Sequence, residues 1–157
     1  MVGVSNQDDP GNDVLRAAAR LTRWASRYAS FEIPVAQARL LSLLDEWGPC
    51  RVSELAEIDH SSQPTTTAGV HRLEAQGWAR RDPDPSDARA TLVSITPAGH
   101  EALAEVRRAR AAVLAPTLGA LDEVELARLR DAVVVLEDLL ARAATPHHSP
   151  APTREEA

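Results

Sequence analysis

Between Val52 and Gly99 the chain switches from helical to extended patterning and back, and few folds accommodate that order. Its centre is Ser61 to Arg89, SSQPTTTAGVHRLEAQGWARRDPDPSDAR. Ser62 is suited to cap a helix, and Pro64 supplies a fixed backbone angle in the first turn. Val70 and Leu73 point inward, and Gly77 suits the left-handed position that ends the helix. Trp78 to Arg81 and Ala90 to Ile95 then read as two strands, the second alternating. Between them Asp82-Pro83-Asp84-Pro85-Ser86-Asp87 is rich in turn formers, which predicts a long hairpin loop. Just upstream, Ser53 is placed to cap a short helix carrying Leu55, Ala56 and Ile58, with His60-Ser61-Ser62 as the turn between helices. The expectation is a helix-turn-helix with a hairpin wing, spanning about 34–99.

The rest of the chain reads as helix. Residues 1–12 and 145–157 are polar or proline-rich and read as disordered tails, leaving 13–144 as one domain. Asp13 is placed to cap a helix reaching about Ser30, with Val14, Leu15, Ala18, Leu21, Ala25, Tyr28 and Ala29 at helical spacing. Arg16, Arg20, Arg23 and Arg27 repeat along another face and read as a solvated stripe. Pro34, at the first helical position, opens a leucine-rich helix closed by Gly48-Pro49. Cys50-Arg51-Val52 is a short extended piece. Thr96 as N-cap and Pro97 at the first helical position start a long helix to about Ala115, which Pro116 disrupts. Leu126, Leu129, Val133, Leu136 and Leu140 then step by three and four residues along a last helix. The predicted class is mainly α with a small β-hairpin.

Composition narrows the functional classes. Hydrophobic residues make up 44% but aromatics only 3%, so the core must be built from Leu, Val and Ala. No apolar run is long enough to cross a bilayer, so no membrane partner is expected. The N-terminus lacks the pattern of an export signal, and a cytoplasmic location is expected. The single Cys50 excludes an internal disulfide and a multi-cysteine metal site, and no cofactor is expected. No nucleophile-base pair, metal-ligand cluster or phosphate loop emerges, which argues against an enzyme. His147-His148 lacks further ligands. The net charge of -6 argues against coating nucleic acid through bulk charge. Any contact with DNA must be local.

The helix opening at Ser62 can supply such a contact. Two short helices packed at a steep angle leave the first turns of the second exposed, and such an end fits the major groove. The exposed positions are Ser61, Ser62, Gln63, Pro64, Thr65, Thr67, Ala68, His71 and Arg72. Serine and threonine hydroxyls can donate to phosphate, Gln can pair with adenine, and a threonine methyl can meet thymine. Free backbone N–H groups near Pro64 add an expected anion site. Arg89 lies where a cation can enter the neighbouring minor groove, and Arg80 and Arg81 where they can hold phosphate. Against Arg72, Arg80, Arg81 and Arg89 stand Glu74, Asp82, Asp84 and Asp87, so affinity should be moderate and salt-sensitive.

These residues resemble the winged helix of the MarR family of bacterial transcription regulators. Ser62-Gln63-Pro64-Thr65, Arg72-Leu73-Glu74, Gly77, Asp87-x-Arg89 and Thr96-Pro97-x-Gly99 carry the resemblance, and the flanking helices extend it to roughly 13–144. The resemblance implies a homodimer joined by the helices at about 13–30 and 97–144, a recognition helix from Ser62, Arg89 as a minor-groove arginine and Asp87 as the acid orienting the wing. It implies a repressor on a short pseudo-palindromic stretch of double-stranded DNA, released by a small-molecule effector. The alternative is a ligand-binding or protein-interaction dimer that has lost DNA binding.

Departures from the family pattern are Ala68 and Ala88, where many members carry Arg, and Gly69, where a larger apolar residue is common. Ala68 shifts base reading toward Gln63, Thr67, His71 and the wing. Gly69 permits either close packing or a slight bend. Trp24, Tyr28 and Trp47 line either an effector pocket or the core and dimer interface. Cys50 reads as a buried strand residue rather than a redox sensor.

Overall fold

A computed structural model describes residues 9–144. Of the tails expected at 1–12 and 145–157, residues 1–8 and 145–157, with His147-His148, lie outside the described residues. Two compact units divide the chain, 9–114 and 115–144.

In the first unit, α1 (Pro10–Tyr28) starts earlier than the spacing of its apolar residues predicts. Asp9 rather than Asp13 is its cap: Asp9 Oδ1 accepts from the Gly11 N–H at 3.0 Å, and Pro10 occupies the first turn. Residues 9–12 are therefore not tail. α2 (Val35–Trp47) has Pro34 outside it as the capping residue, and it buries Ala38, Leu40, Leu41 and Leu44. α3 (Val52–Ile58) begins one residue before the expected cap at Ser53. Arg51 takes the capping position instead, and Glu54 reaches back to accept its N–H at 2.7 Å.

The turn into α4 (Gln63–Ala75) is made by His60, whose φ of 51° is the left-handed conformation usually left to glycine. The Ser61 N–H bonds the Ala56 carbonyl at 3.0 Å across this turn. Gly69 answers the packing question. A Cβ there would collide with Leu40 Cδ1, so the missing side chain lets α2 lie against α4. After α4 the chain turns away at Gly77, φ 72°, with the Trp78 N–H bonding back to the Leu73 carbonyl at 2.8 Å.

The hairpin is longer, and its loop shorter, than predicted. β1 (Ala79–Asp84) pairs antiparallel with β2 (Asp87–Ile95), and only Pro85 and Ser86 lie between them. The sequence reads as loop because Asp82, Pro83 and Asp84 are turn formers. Pro83 is tolerated because a two-stranded ribbon has a free edge and the register breaks directly after it, from Pro83↔Thr91 to Asp84↔Asp87. Cys50 bridges Val93 on the other side of β2, with backbone bonds of 3.2 and 2.8 Å, as its extended reading predicted.

Leu41, Leu44, Leu55, Val70, Leu73, Val93, Leu103 and Val106 form the centre of the core, with Phe31 and Trp78 only at its margin. This is the Leu, Val and Ala core that so few aromatics require. α5 (Pro97–Leu118) clasps the hairpin base: the Thr96 hydroxyl donates to the Gly77 carbonyl at 2.6 Å and accepts from the Gly99 N–H at 3.1 Å. α5 runs through Pro116 rather than stopping at Ala115. So close to the helix end, proline removes one bond in the last turn, not one in the interior. In the second unit, Asp122 and Glu125 form reciprocal caps of 2.8 and 3.0 Å that start α6 (Glu123–Ala144).

Candidate nucleic-acid interface

α4 separates its residues cleanly by face. Thr66, Gly69, Val70 and Leu73 are buried, whereas Gln63, Pro64, Thr67, Ala68 and His71 line a shallow open hollow on the other side. This is the face expected to meet bases. Arg72 is also exposed.

Much of the hydroxyl chemistry assigned to DNA is already engaged within the protein. The Ser62 hydroxyl accepts the Thr65 N–H at 3.4 Å and lies 2.7 Å from the Thr65 hydroxyl. Ser61 turns partly inward, 2.6 Å from the hydroxyl of buried Thr66. Thr67 donates to the Gln63 carbonyl at 2.8 Å, so its methyl and its oxygen lone pairs are what it offers outward. The anion site expected at the helix start is correspondingly poor. Pro64 has no N–H, Thr65 gives its own to Ser62, and Thr66 gives its own to the Ser62 carbonyl at 3.0 Å.

Charge pairing sorts the arginines. Arg80 meets Asp82 at 3.2 Å and Arg81 meets Glu74 at 3.1 Å, so both expected phosphate holders are internally compensated. His71 also lies 3.3 Å from Glu74, as a surface helix residue. Asp84 and Asp87 are held by Arg51, at 2.6 and 3.5 Å. Among the described residues, Arg72 and Arg89 form no ion pair. Asp87 Oδ1 accepts the Arg89 backbone N–H at 3.0 Å, and the guanidinium is left exposed.

Arg51 is the residue that sequence reasoning missed. It stands 33 positions from Asp84 and outside the stretch that carries the motif, so no local spacing points to it. Hydrogen bonds from Ser86 and from Arg51 hold the Asp84 carboxyl down to about 2. Burial, with a smaller push from Glu54, raises the Cys50 thiol, which makes it a poorer nucleophile and fits its strand reading.

Trp24, Tyr28 and Trp47 were expected to line either an effector pocket or the core and dimer interface. Trp24 and Tyr28 are neighbours on α1, with ring centroids 5.6 Å apart, but both are exposed. Trp47 is 62% exposed at the end of α2, so it is not part of the core. A different cleft, of about 590 Å³, is lined by residues that include Arg23, Arg27, Arg39 and Arg110, together with Ser26 and Ser42.

A helix-turn-helix whose second helix shows a polar face, followed by a hairpin with one uncompensated arginine, is the architecture of a family with known members. Residues 33–91 match the model of the MarR family. An uncharacterized HTH-type transcriptional regulator of Mycobacterium bovis, Mb0904, is 32% identical over 122 residues, 77% of this chain and 85% of the relative.

The chain belongs to the MarR family.

It is therefore a helix-turn-helix transcription regulator and not an enzyme. Among solved structures, the transcriptional regulator Tm0710 from Thermotoga maritima is similar at a TM-score of 0.70 and 28% identity, over 88% of this chain and 99% of that one. Apo wild-type MarR from E. coli shares the fold at a TM-score of 0.62 and 22% identity, over 90% of this chain and 100% of that one. The MarR winged helix is the part described above, from α2 through the hairpin. No helix among the described residues is long and apolar enough to cross a membrane.

Proposed function

We propose that the protein is a homodimeric repressor that binds a short pseudo-palindromic operator, with α4 in the major groove and the wing reaching the minor groove. The observation that carries this reading is the Arg89 guanidinium, exposed at the wing while the acids beside it are bound elsewhere. A narrow minor groove concentrates negative potential where such a cation fits. Duplex fragments retained from host genomic DNA supply the probe. Arg89→Ala should weaken their binding by roughly tenfold and lower the salt dependence by about one charge. If no fragment is retained at low salt, the alternative of a ligand-binding dimer without DNA binding takes its place. If binding is unchanged across salt concentrations, Arg89 leaves the mechanism.

Dimerisation is supported by uncovered apolar surface in each unit. On α1 only Ala25 is buried, while Leu15, Leu21 and Tyr28 are exposed. On α6, Val133, Val134, Val135, Leu139 and Leu140 are exposed, and runs of large apolar side chains in water mark surfaces that meet a partner. Sedimentation at micromolar concentration should give a dimer, and a monomer there would remove the palindromic operator from the reading.

Control by an effector is supported by the arginine-lined cleft: Arg39 is paired with Asp59, but Arg23 and Arg110 form no ion pair among the described residues and suit a small organic anion. The buried Arg110 Nε has no hydrogen-bond partner, although the guanidinium lies 5.7 Å from the Phe31 ring centre. An anion that releases DNA should lose its effect in Arg23→Ala and Arg110→Ala; equal release from all three proteins would place the effector elsewhere.

A further inference from the structure

We propose that Arg51 is a positioning residue for the wing: it draws Asp84 and Asp87 onto itself and so keeps the Arg89 guanidinium from being captured by its own neighbours. The proposal rests on the reading of Arg89 as a DNA contact.

The four oxygens of the two carboxylates are divided between the turn and Arg51. Asp84 Oδ1 accepts the Ser86 N–H at 2.8 Å and the Ser86 hydroxyl at 2.6 Å, which closes the turn. Asp84 Oδ2 accepts Arg51 Nε at 3.0 Å and Nη2 at 2.6 Å. Asp87 Oδ1 accepts the Arg89 N–H at 3.0 Å, and its Oδ2 lies 3.5 Å from the same Arg51 Nη2. One guanidinium therefore contacts both acids that flank the wing turn and offsets one of their two charges.

Without it, Asp87 sits two residues from Arg89 with a free oxygen and no countercharge. The Arg89 side chain is then the nearest cation in sequence that can fold back onto it. That intramolecular pair would compete with phosphate, and the uncompensated Asp84 would repel the DNA backbone. Arg51 can perform this role because its backbone is already fastened. Cys50 is bridged to Val93 on β2, and Glu54 accepts the Arg51 N–H. A two-stranded hairpin is marginal alone, so a tether from outside it near its turn also limits where Arg89 can point.

The test uses Arg51→Gln, which keeps a donor and most of the stem but removes the charge, with a retained genomic duplex as probe. Arg51→Gln should weaken binding by roughly five- to tenfold, and Arg89→Ala should cost much less in that background than in wild type, because the two residues are coupled. Adding Asp87→Asn to Arg51→Gln should recover most of the lost affinity. Asn retains the oxygen that accepts the Arg89 N–H but no longer attracts its guanidinium. A merely structural Arg51 would not be rescued this way, and thermal melting of each variant separates loss of fold from loss of binding. Should Arg51→Gln fail to fold, Arg51→Lys carries the same test: it should hold the acids less well, and Asp87→Asn should relieve its defect. The inference is overturned if Arg89→Ala weakens binding while the Arg51 variant binds like wild type, if the two penalties multiply in full, or if Asp87→Asn restores nothing. If Arg89→Ala itself has no effect, it is the DNA reading of the wing that fails.

Discussion

At the start of α4, the hydroxyls of Ser61, Ser62, Thr65, Thr66 and Thr67 are all engaged within a few residues of themselves, whereas the wing takes its organising cation from 33 positions away. The helix is built by local bonds and presents a nearly uncharged face of Gln63, Pro64, Thr67, Ala68 and His71. The wing is built by long-range ion pairs and presents an uncompensated charge. The difference teaches a division of labour. Base preference should come from the helix, whose side chains match base edges, and salt-dependent affinity from the wing, where a cation meets phosphate and groove potential.

The largest effect expected to break this division is at the joint between the two regions. A Cβ on Gly99 would collide with the Trp78 carbonyl and come within 2.8 Å of Ile95 Cγ1, and neither backbone nor strand can retreat cheaply. Gly99→Ala should destabilise the protein by about 2–3 kcal/mol, read as a lowered urea midpoint. A midpoint equal to wild type would show that the hairpin base is loosely held.

Next comes a test of where sequence is read. Gln63→Ala should erase preference at one base position, worth about 1–3 kcal/mol of discrimination, with the salt dependence unchanged. That profile is the reverse of the one expected for Arg89→Ala. If Gln63→Ala instead flattens the salt dependence and leaves base preference intact, helix and wing have exchanged roles.

The smallest effect concerns acid. The Asp84 carboxyl is held at about 2, below the ordinary value of roughly 4, by Ser86 and Arg51. A carboxyl lowered by folding contributes stability that is complete above its unfolded value and fades as pH falls through its folded one. Wild type should therefore exceed Asp84→Asn in stability at about pH 6, and the gap should narrow between about pH 4 and pH 2. A gap that does not change with pH would mean that the ion pair with Arg51 does not hold the wing.

Legibility followed the range of the interactions. The order of elements, the Ser62 cap, the Gly77 stop, the Thr96 cap and the buried strand position of Cys50 were all readable, because each depends on residues within a turn of one another or on a simple apolar pattern. Boundaries moved where two local signals competed. Asp13 was the expected cap, but Asp9 stands directly before Pro10, which suits a first helical turn, and takes the role. The turn formers from Asp82 to Asp84 were absorbed into a strand because a register break and a free edge accommodated them.

The sequence by itself determined that a polar-faced helix would be followed by a hairpin carrying Arg89, since caps, glycine stops and periodicity are short-range and survive any tertiary arrangement. Only the tertiary structure decided which charges remain available. Counting four arginines against four acids left them balanced on paper; in space Arg80 and Arg81 are paired, and Arg51 arrives from another segment to take Asp84 and Asp87. Charge pairing depends on distance through space, which sequence separation does not report, and so the freedom of Arg72 and Arg89 was settled only when the chain folded.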